Sequence, residues 1–322
     1  MKTDYCLILS AGFGTRMRSI GQRIPKPMWP VFEKTIIELQ IDYARMLGCK
    51  EIFVNLHHMT EEVLNYFHHK EEYEDIHFLI EKEILDIGGA IHNLAQRDFV
   101  NYKGSLMINN GDQFLFFDWK KLKEIEKHFS NYKAVLMAVK VDPIWGHGQT
   151  LLDKDDHLSK IIPNKEITSQ DSIYTYSGLG FIDLAKLKPS KGKSSLYDSV
   201  VTYKTDPIKM VKVDEYEYWD FGTIDRYWHS LFQILIDEKV KKESSFIEFL
   251  HEKGAINQAS LNLEKLSYNA DKFSINLSSQ AWSSSKPGQI VLASRHKAVS
   301  AEGPGVICGE LFEKVESKIK FP

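Results

Sequence analysis

The chain has 322 residues, of which 43% are hydrophobic and 26% charged, and its formal net charge is −3. This length and composition are typical of a globular protein with a sizeable core, built as one large domain or as a domain with an appendage. The small net charge provides no basic field toward nucleic acid or anionic lipid, and no apolar run reaches the roughly 18 residues of a membrane span. We therefore expect neither nucleic acid nor a membrane among its partners.

The cysteine pattern indicates the cellular compartment of the protein. Cys6, Cys49 and Cys308 are far apart, odd in number and without the short spacing of metal ligands. Such cysteines are predicted to be reduced thiols of a cytoplasmic protein. The first two lie in or beside apolar segments, where packing is expected rather than reactivity.

The first half of the chain alternates short apolar runs with segments of helical periodicity. Strands are predicted over residues 5–9, 49–56, 76–83, 104–112 and 132–141, and helices over residues 35–48, 60–70, 88–96 and 119–129, with Thr60 as an N-cap. This alternation indicates the α/β class, with βαβ units and a mostly parallel sheet. Ligands bind beyond the carboxyl ends of such strands, which places the loops after residues 9, 56, 80, 110 and 141 along one rim.

The alternation of strands and helices is less regular after about residue 145. Strands are predicted within residues 149–164, 173–184 and 208–223, followed by a long amphipathic helix over residues 224–242. Beyond about residue 240 the chain becomes rich in Ser, Gly and Pro, with short apolar pieces. We predict a main domain over residues 1–238 and a small β-rich appendage over residues 239–322, resembling the irregular coils of a solenoid.

A glycine-bearing turn, "SAGFGTRMRS", follows the first strand. Gly12 and Gly14 let the backbone approach a ligand closely, and the turn amides together with Arg16 and Arg18 suit phosphate oxygens. The turn is neither a Walker A loop, since no Lys-Ser or Lys-Thr follows, nor a dinucleotide fingerprint, since the third Gly is missing. A tight turn with surface arginines is the alternative.

The next segment, "IPKPM", strengthens the phosphate hypothesis. Pro25 and Pro27 restrict the backbone on both sides of Lys26. An exposed loop lysine needs no such restraint, whereas a lysine aimed at a phosphate benefits from it. Together with the preceding turn, this pattern favours a phosphate-binding role for Lys26.

Two carboxylates lie at the ends of predicted strands. Asp112 closes the sequence "MINNGD" at the rim, and Asp220 lies between Trp219 and Phe221, where a charge is rarely placed without a partner. Carboxylates beside a phosphate-binding loop are suitable ligands for Mg²⁺, and a shared metal would provide that partner. Hydrogen bonding of Asp220 to the amides of residues 222–223 is the alternative.

Five motifs stand in order along the chain: "LSAGFGTRM" with "PKPM", then "LDIGGAI", "NGD", "SG" and "WDFGT". Over residues 5 to about 235 this order resembles the sugar-1-phosphate nucleotidyltransferase family. The segments "VDP…HG", "YTYSG" and "YWDFGT" are most similar to those of the N-acetylmuramate-1-phosphate uridylyltransferases of peptidoglycan recycling. Mannose-1-phosphate guanylyltransferases are second in similarity. The resemblance implies a Rossmann-like fold, Mg²⁺ as cofactor, and the reaction NTP + sugar-1-phosphate → NDP-sugar + pyrophosphate, with UTP favoured.

The resemblance also implies roles for individual positions. Arg16 would meet the triphosphate, Lys26 would bridge the reacting phosphates, and Asp112 and Asp220 would hold Mg²⁺. Arg16, Lys26 and Asp112 are thus the implied catalytic residues. The residues implied to line the nucleotide are Ala11, Gly12, Gly14, Thr15, Glu81, Leu85, Asp86 and Gly88, and those implied to border the sugar are Gly148, Ser177 and Gly178.

Four positions depart from the family pattern, of which Ser10, where Ala is common, is expected to have no effect. Ile87 stands where Thr is frequent, Ala90 where Gly is, and Gln149 where the uridylyltransferases tend to have Asp. The identity of the base also stays open, because the Glu81 carboxylate can accept hydrogen bonds from uracil or from guanine.

A function of another class is a non-catalytic regulatory paralogue. Such proteins typically lack the loop arginine, the lysine or a metal carboxylate, all of which are present here. The β-rich appendage is the part of the chain through which we expect a homo-oligomer to form.

Overall fold

The computed structural model describes residues 3–256, 275–276, 289–293, 304–308 and 311–315. The chain divides into two compact units, of which unit 1 comprises residues 1–12 and 43–218 and unit 2 comprises residues 13–42 and 219–322. Among the described residues, we find no helix with the length and apolar character that a membrane crossing requires. The division at residue 238 stays a prediction.

Each strand and helix predicted up to residue 242 is present in the predicted order, and further short elements that were not predicted lie among them. The strands are β1 (Thr3–Leu9), β2 (Pro30–Val31), β3 (Lys34–Thr35), β4 (Cys49–Leu56), β5 (Ile76–Ile80), β6 (Ser105–Asn110), β7 (Gln113–Phe117), β8 (Ala134–Val141), β9 (Gln149–Leu152), β10 (Leu158–Ile162), β11 (Ile173–Asp183), β12 (Lys209–Lys212), β13 (Tyr216–Asp220), β14 (Ile275–Asn276), β15 (Gln289–Ala293), β16 (Gly305–Cys308) and β17 (Leu311–Lys314). The helices are α1 (Ile36–Met46), α2 (Thr60–Phe67), α3 (Asp86–Ala95), α4 (Lys121–Phe129), α5 (Leu196–Ser199), α6 (Ile224–Lys239) and α7 (Ser245–Glu252).

Unit 1 is built on a seven-stranded sheet with the order β12-β8-β11-β6-β1-β4-β5. Strand β1 pairs in parallel with β4 and β6, β4 with β5, and β8 with β12. Strand β11 runs antiparallel to both β6 and β8. The prediction of an α/β fold with a mostly parallel sheet is therefore confirmed, and β11 is the strand that makes the sheet mixed.

Continuous apolar runs place the central strands in the core. In β1, Cys6, Leu7 and Ile8 are fully buried, and the same is true of every residue from Ala134 to Val139 in β8. A strand that is buried at consecutive positions must be covered on both faces, as strands of parallel sheets are. The loops of the site follow directly after such buried runs, which end at Ile8 in β1 and at Asn109 in β6.

Unit 2 has an aromatic core around α6. The ring of Trp29 packs edge-on against Tyr227 at a centroid distance of 4.9 Å, and Trp228 lies 4.4 Å from Phe232. Strands β14 to β17 form a second sheet, in which β16 and β17 are an antiparallel hairpin. This sheet confirms the prediction of a small C-terminal β-rich appendage, while the solenoid interpretation falls largely on residues outside the described ranges.

Three local predictions differ from the structure. Thr60 is the first residue of α2 rather than its N-cap, because its hydroxyl donates to the His57 carbonyl and Met59 occupies the cap position. Strand β7 directly follows the Asn-Gly-Asp turn, which the sequence suggested only as a strand end. Helix α7 lies within the segment predicted to be a β appendage, and Ser244 caps it through the Ile247 amide.

Candidate active site

In unit 1, the Asn-Gly-Asp turn lies against the end of β1. Leu9 pairs with Asn110, and the Gly111 amide donates to the Leu9 carbonyl at 3.1 Å. A Cβ on Gly111 would lie 2.5 Å from Ser10 Oγ, so only glycine fits this close approach. The following Asp112 is 5% exposed. The structure therefore brings this predicted metal ligand to the start of the glycine turn.

A β-bulge brings two of the predicted sugar-binding residues to the same turn. The register of β11 shifts between Tyr176 and Gly180, which leaves Ser177 and Gly178 in an irregular segment. Gly178 has a φ of 88°, and a Cβ there would lie 2.3 Å from Gln113 Oε1. Gly178 thus packs against the turn that carries Asp112, with Ser177 directly before it in the chain.

The third predicted sugar-binding residue lies elsewhere in unit 1. Gly148 directly precedes β9, and a Cβ there would lie 3.2 Å from the Ile162 carbonyl oxygen of β10. The structure therefore places Gly148 in the β9–β10 hairpin rather than at the β11 bulge.

Glu81 follows β5 and has an internal role that the sequence did not suggest. Its side chain is 4% exposed, with Oε1 accepting from Asn55 Nδ2 at 2.7 Å and Oε2 accepting from the Leu85 amide at 3.0 Å. Asn55 Oδ1 in turn accepts from the Ser10 amide at 2.7 Å. A chain of hydrogen bonds therefore joins the end of β1 to the loop between β5 and α3. Asn55 is a site residue that sequence reasoning missed.

The first turn of α3 is shaped by close backbone packing. Asp86 has a φ of 59°, and its Oδ1 accepts from the Ile87 amide at 2.7 Å. A Cβ on Gly88 would lie 2.3 Å from the Ser195 carbonyl oxygen, and the Gly89 amide donates to Ser194 at 3.1 Å. The glycine pair "GG" therefore serves packing against residues 194–195, and its predicted nucleotide contact stays a prediction.

At the start of the glycine turn, Ala11 is buried and Gly12 is exposed. A Cβ on Gly12 would meet no atom within 4 Å among the described residues. Gly12 thus leaves one face of the turn open, which is compatible with a ligand approaching the backbone there.

In unit 2, the rest of the turn folds back on itself. Gly14 has a φ of 63°, and its carbonyl accepts from the Met17 amide at 2.8 Å. A Cβ on Gly21 would lie 2.6 Å from that carbonyl oxygen, and one on Gly14 would lie 3.7 Å from Lys26 Cβ. The structure therefore brings Lys26 beside Gly14, as a shared phosphate-binding role requires. Thr15 and Arg16 follow Gly14 and are exposed.

The prolines around Lys26 hold it in a short turn. Residues Lys26–Met28 form one turn of 3-10 helix, in which the Met28 amide donates to Pro25 at 2.8 Å and the Trp29 amide to Lys26 at 3.0 Å. Pro25 and Pro27 are buried, whereas Lys26 is half-buried. The restraint inferred from the Pro-Lys-Pro sequence is therefore present.

Asp220 has partners within unit 2. Its Oδ1 accepts from the Gly222 amide at 2.7 Å, and its Oδ2 accepts from Arg226 Nη1 at 2.9 Å. The side chains of Arg226 and Asp220 are only 11% and 8% exposed. The alternative interpretation, hydrogen bonding to a following amide, is therefore realised together with a buried ion pair that the sequence reasoning missed.

These partners are compatible with a metal ion. A carboxylate offers about four lone-pair positions, and metal-ligating carboxylates are themselves usually hydrogen-bonded by outer groups. Asp112 and Asp220 supply the oxygen donors that Mg²⁺ prefers. Asp112 and Asp220 belong to different units. The hypothesis that both bind one metal ion is therefore based on the sequence motifs.

The hydroxyl groups near the bulge stay neutral. Burial raises the pKa of Tyr176 well above its usual value, and burial together with Tyr203 raises the pKa of Tyr197 to about 12. These tyrosines can therefore act as hydrogen-bonding groups but not as bases near neutral pH.

The chain is similar in sequence and in fold to proteins of known name. D-glycero-alpha-D-manno-heptose 1-phosphate guanylyltransferase of Campylobacter jejuni is 30% identical over 230 residues, which is 70% of this chain and 97% of that protein. A bifunctional sugar-1-phosphate nucleotidylyltransferase/acetyltransferase of Sulfurisphaera tokodaii is 32% identical over 223 residues, which is 67% of this chain and 51% of that protein. HddC from Yersinia pseudotuberculosis, solved in complex with GMP-PN, is similar in fold with a TM-score of 0.59 at 24% identity, covering 71% and 99% of the two chains.

The family comparison covers the whole region that carries the five motifs. The predicted family is confirmed, whereas the narrower resemblance to muramate uridylyltransferases stays a prediction, because these relatives bear other names. Members of the family typically use a divalent metal ion. The model of the nucleotidyl transferase family matches residues 5–235, well over half of the sequence, and the chain therefore belongs to that family.

Proposed function

We propose that the protein transfers a nucleotidyl group from an NTP to a sugar-1-phosphate, giving an NDP-sugar and pyrophosphate. The observation that carries this proposal is the grouping at the carboxyl end of β1 and β6. There, Asp112 and the bulge of Ser177 and Gly178 adjoin the start of the glycine turn. In α/β sheets this edge is where ligands bind.

The chemistry needs charge neutralisation rather than a base. A sugar phosphate is already a nucleophile at neutral pH, so the protein must hold the attacking and leaving oxygens in line and offset crowded negative charge. In our proposal, Arg16 binds the β and γ phosphates that leave as pyrophosphate. Lys26, held beside Gly14, contacts phosphates of both substrates.

A divalent cation would supply further positive charge at the reacting phosphates. We propose that Asp112 and Asp220 hold Mg²⁺ and that Arg226 orients the Asp220 carboxylate through their buried pair. The nucleotide would be bound by residues 11–15 and by the loop that begins at Glu81, and the sugar by Ser177 and Gly178, with Gly148 entering from its hairpin.

The first candidate for base and sugar is GTP with a heptose 1-phosphate. It is supported by 30% identity to the Campylobacter guanylyltransferase over 97% of that protein. The second candidate is UTP with N-acetylmuramate 1-phosphate, in peptidoglycan recycling, supported by the wording "YTYSG" and "YWDFGT". In either case we place the protein in the cytoplasm, where nucleoside triphosphates are available, and propose that the β-rich appendage mediates any homo-oligomer.

A substrate screen tests the proposal. Pyrophosphate release is measured with ATP, CTP, GTP and UTP against a panel that includes heptose, glucose, N-acetylglucosamine and N-acetylmuramate 1-phosphates, with Mg²⁺. We expect turnover that depends on both substrates and is highest with one base. Absence of pyrophosphate release with every pair would contradict the proposed activity and favour the regulatory paralogue.

A further inference from the structure

The strongest feature outside the family match is a contact between the C-terminal hairpin, β16 and β17, and the arginine segment, Thr15–Gln22. Both belong to unit 2. The hairpin lies beyond residue 235, where the family match ends. It is therefore an element that this chain adds to the family's shared region.

The arginine segment is kinked at its centre. Arg18 has φ 55° and ψ −142° inside an otherwise helical stretch, a conformation that costs energy for a residue with a Cβ. The kink interrupts the helical hydrogen bonding of the segment, so the next amide, that of Ser19, needs another acceptor. Met17 and Ile20 are fully buried on either side of the kink, which holds the segment in place from within.

Glu313 of β17 supplies the missing acceptor. Its Oε1 accepts from the Ser19 amide at 3.0 Å and also from the Ser19 hydroxyl. Its Oε2 lies 3.7 Å from Arg18 Nη1, and the Glu313 side chain is 18% exposed. A carboxylate with two donors and a guanidinium around it makes charge-assisted hydrogen bonds, which are stronger than neutral ones.

The guanidinium of Arg18 is held by two further groups. Nη1 donates to the Lys314 carbonyl at 2.5 Å, and Nη2 donates to Asp225 Oδ2 at 3.1 Å in the first turn of α6. Arg18 therefore points toward the hairpin and α6, which gives it a structural role distinct from the ligand role of Arg16.

The two strands of the hairpin pack closely at this place. A Cβ on Gly305 would lie 2.3 Å from the Phe312 ring, so the two strands pack more closely than any other residue would allow. The neighbouring Cys308 is buried, which raises the pKa of its thiol despite the nearby Arg23. The hairpin thus offers a firm support for Glu313.

We propose that Glu313 is a positioning residue for nucleotidyl transfer, and that the C-terminal hairpin holds the arginine segment in the conformation that presents Arg16 to the triphosphate. The inference rests on the proposed function, in which Arg16 serves the leaving pyrophosphate. It assigns an activity-supporting role to a part of the chain that the family match does not include.

The test compares Glu313→Ala with Lys314→Ala in the full-length protein. Lys314 is a matched control because only its backbone carbonyl contacts Arg18, and its side chain is exposed. Two readouts are used: trypsin cleavage after Arg16 and Arg18, and steady-state kinetics with the best substrate pair. Ser19→Ala probes the same contact from the segment, and thermal unfolding verifies that each variant is folded.

For Glu313→Ala we expect cleavage at the arginine segment to be about tenfold faster, because a hydrogen-bonded charge is lost. We expect KM for the NTP to rise or kcat to fall by a similar factor, with KM for the sugar-1-phosphate unchanged. Glu313→Gln, which retains one acceptor for Ser19, should be intermediate, and Lys314→Ala should match the wild type.

Equal cleavage rates for Glu313→Ala and Lys314→Ala would overturn the proposal, as would faster cleavage with unaltered kinetics in an active enzyme. If the wild type is inactive with every substrate pair, the proposed function fails. The cleavage comparison then still decides whether the hairpin holds the segment.

Discussion

The central sheet of unit 1 and the glycine turn with the arginine segment of unit 2 are held by different forces. The sheet is fixed by strands with fully buried runs, such as Cys6–Ile8 in β1 and Ala134–Val139 in β8. Residues 14–22 have two fully buried side chains, Met17 and Ile20, and otherwise depend on close glycine packing and on polar contacts of Arg18 and Ser19 with the C-terminal hairpin. We infer that stability resides mainly in the sheet, whereas the geometry of the phosphate-binding loop depends on a few specific contacts.

The largest effect is expected at the rim of the sheet. Asp112→Asn should lower turnover about a thousandfold, because an amide is a poor substitute for a metal-binding carboxylate. Pyrophosphate release in saturating Mg²⁺ measures it, and chelation of the metal should abolish wild-type turnover reversibly. Asp171→Asn, a change at an exposed carboxylate, serves as the control.

Near-normal turnover of folded Asp112→Asn would remove this residue from the metal site. Asp220→Asn is a less direct test, since it also leaves the buried Arg226 without its carboxylate. Loss of one partner of a buried pair costs about 3–5 kcal/mol of stability.

A substitution in the core of the sheet should lower stability without lowering activity. Ile108 lies in β6 and is fully buried, so Ile108→Ala should lower the free energy of unfolding by about 3 kcal/mol. At temperatures where the variant is folded, kcat should be unchanged. Urea denaturation gives the stability, with the exposed Ile144→Ala as control. A large loss of kcat without loss of stability would contradict the division of roles.

In the loop, we expect a substitution to lower turnover without lowering stability. A Cβ on Gly21 would lie 2.6 Å from the Gly14 carbonyl oxygen and 3.0 Å from Met17 Cβ, so Gly21→Ala must displace the turn. We expect turnover to fall about tenfold or more, equivalent to roughly 1.4 kcal/mol in the barrier. Thermal unfolding should change little. Gln22→Ala, at the exposed next position, should leave both turnover and unfolding unchanged.

If Gly21→Ala instead unfolds the protein while the surviving fraction turns over normally, the loop is part of the stabilising core. The contrast between sheet and loop would then be wrong.

A smaller effect is expected at Glu81. Its two oxygens accept from Asn55 and from the Leu85 amide, and glutamine can satisfy only one of these donors without rearrangement. Glu81→Gln should therefore raise KM for nucleotides about fivefold, which corresponds to one weakened hydrogen bond. If Glu81 positions the loop, the ratio of kcat/KM between GTP and UTP should not change.

The exposed neighbour Glu83→Gln is the matched control for that measurement. A changed preference between the two bases in Glu81→Gln would instead indicate that the carboxylate contacts the base directly.

Much of the sheet could be predicted from the sequence because its determinants are local. Apolar runs such as Cys6–Ile8 and the helical spacing of α1 specify burial without knowledge of their neighbours. Strand β7 was missed because it follows its turn immediately. Helix α7 was missed because serine- and glycine-rich surroundings dominated the composition.

The site was predicted less completely, since many of its contacts join residues far apart in sequence. The motifs identified Asp112 and Lys26, but the hydrogen bonds of Asn55 with Ser10 and Glu81 leave no local signal. The partner of Asp220 could have been suspected, because Arg226 stands six positions on, in the first turn of a helix. Glu313 lies almost three hundred residues from Ser19, and only a structure could join them.

The central proposal is that Arg16 acts on the β and γ phosphates, the part of the triphosphate that leaves. It is tested most directly by Arg16→Ala, with the chemical step followed by single-turnover kinetics and affinity for the NDP-sugar product measured by calorimetry. We expect a strongly reduced chemical step with product affinity almost unchanged. Rescue by Arg16→Lys should be incomplete, because an ammonium lacks the guanidinium fork. Loss of product binding as severe as the loss of catalysis would contradict it, since Arg16 would then hold the retained nucleotide or the shape of the loop.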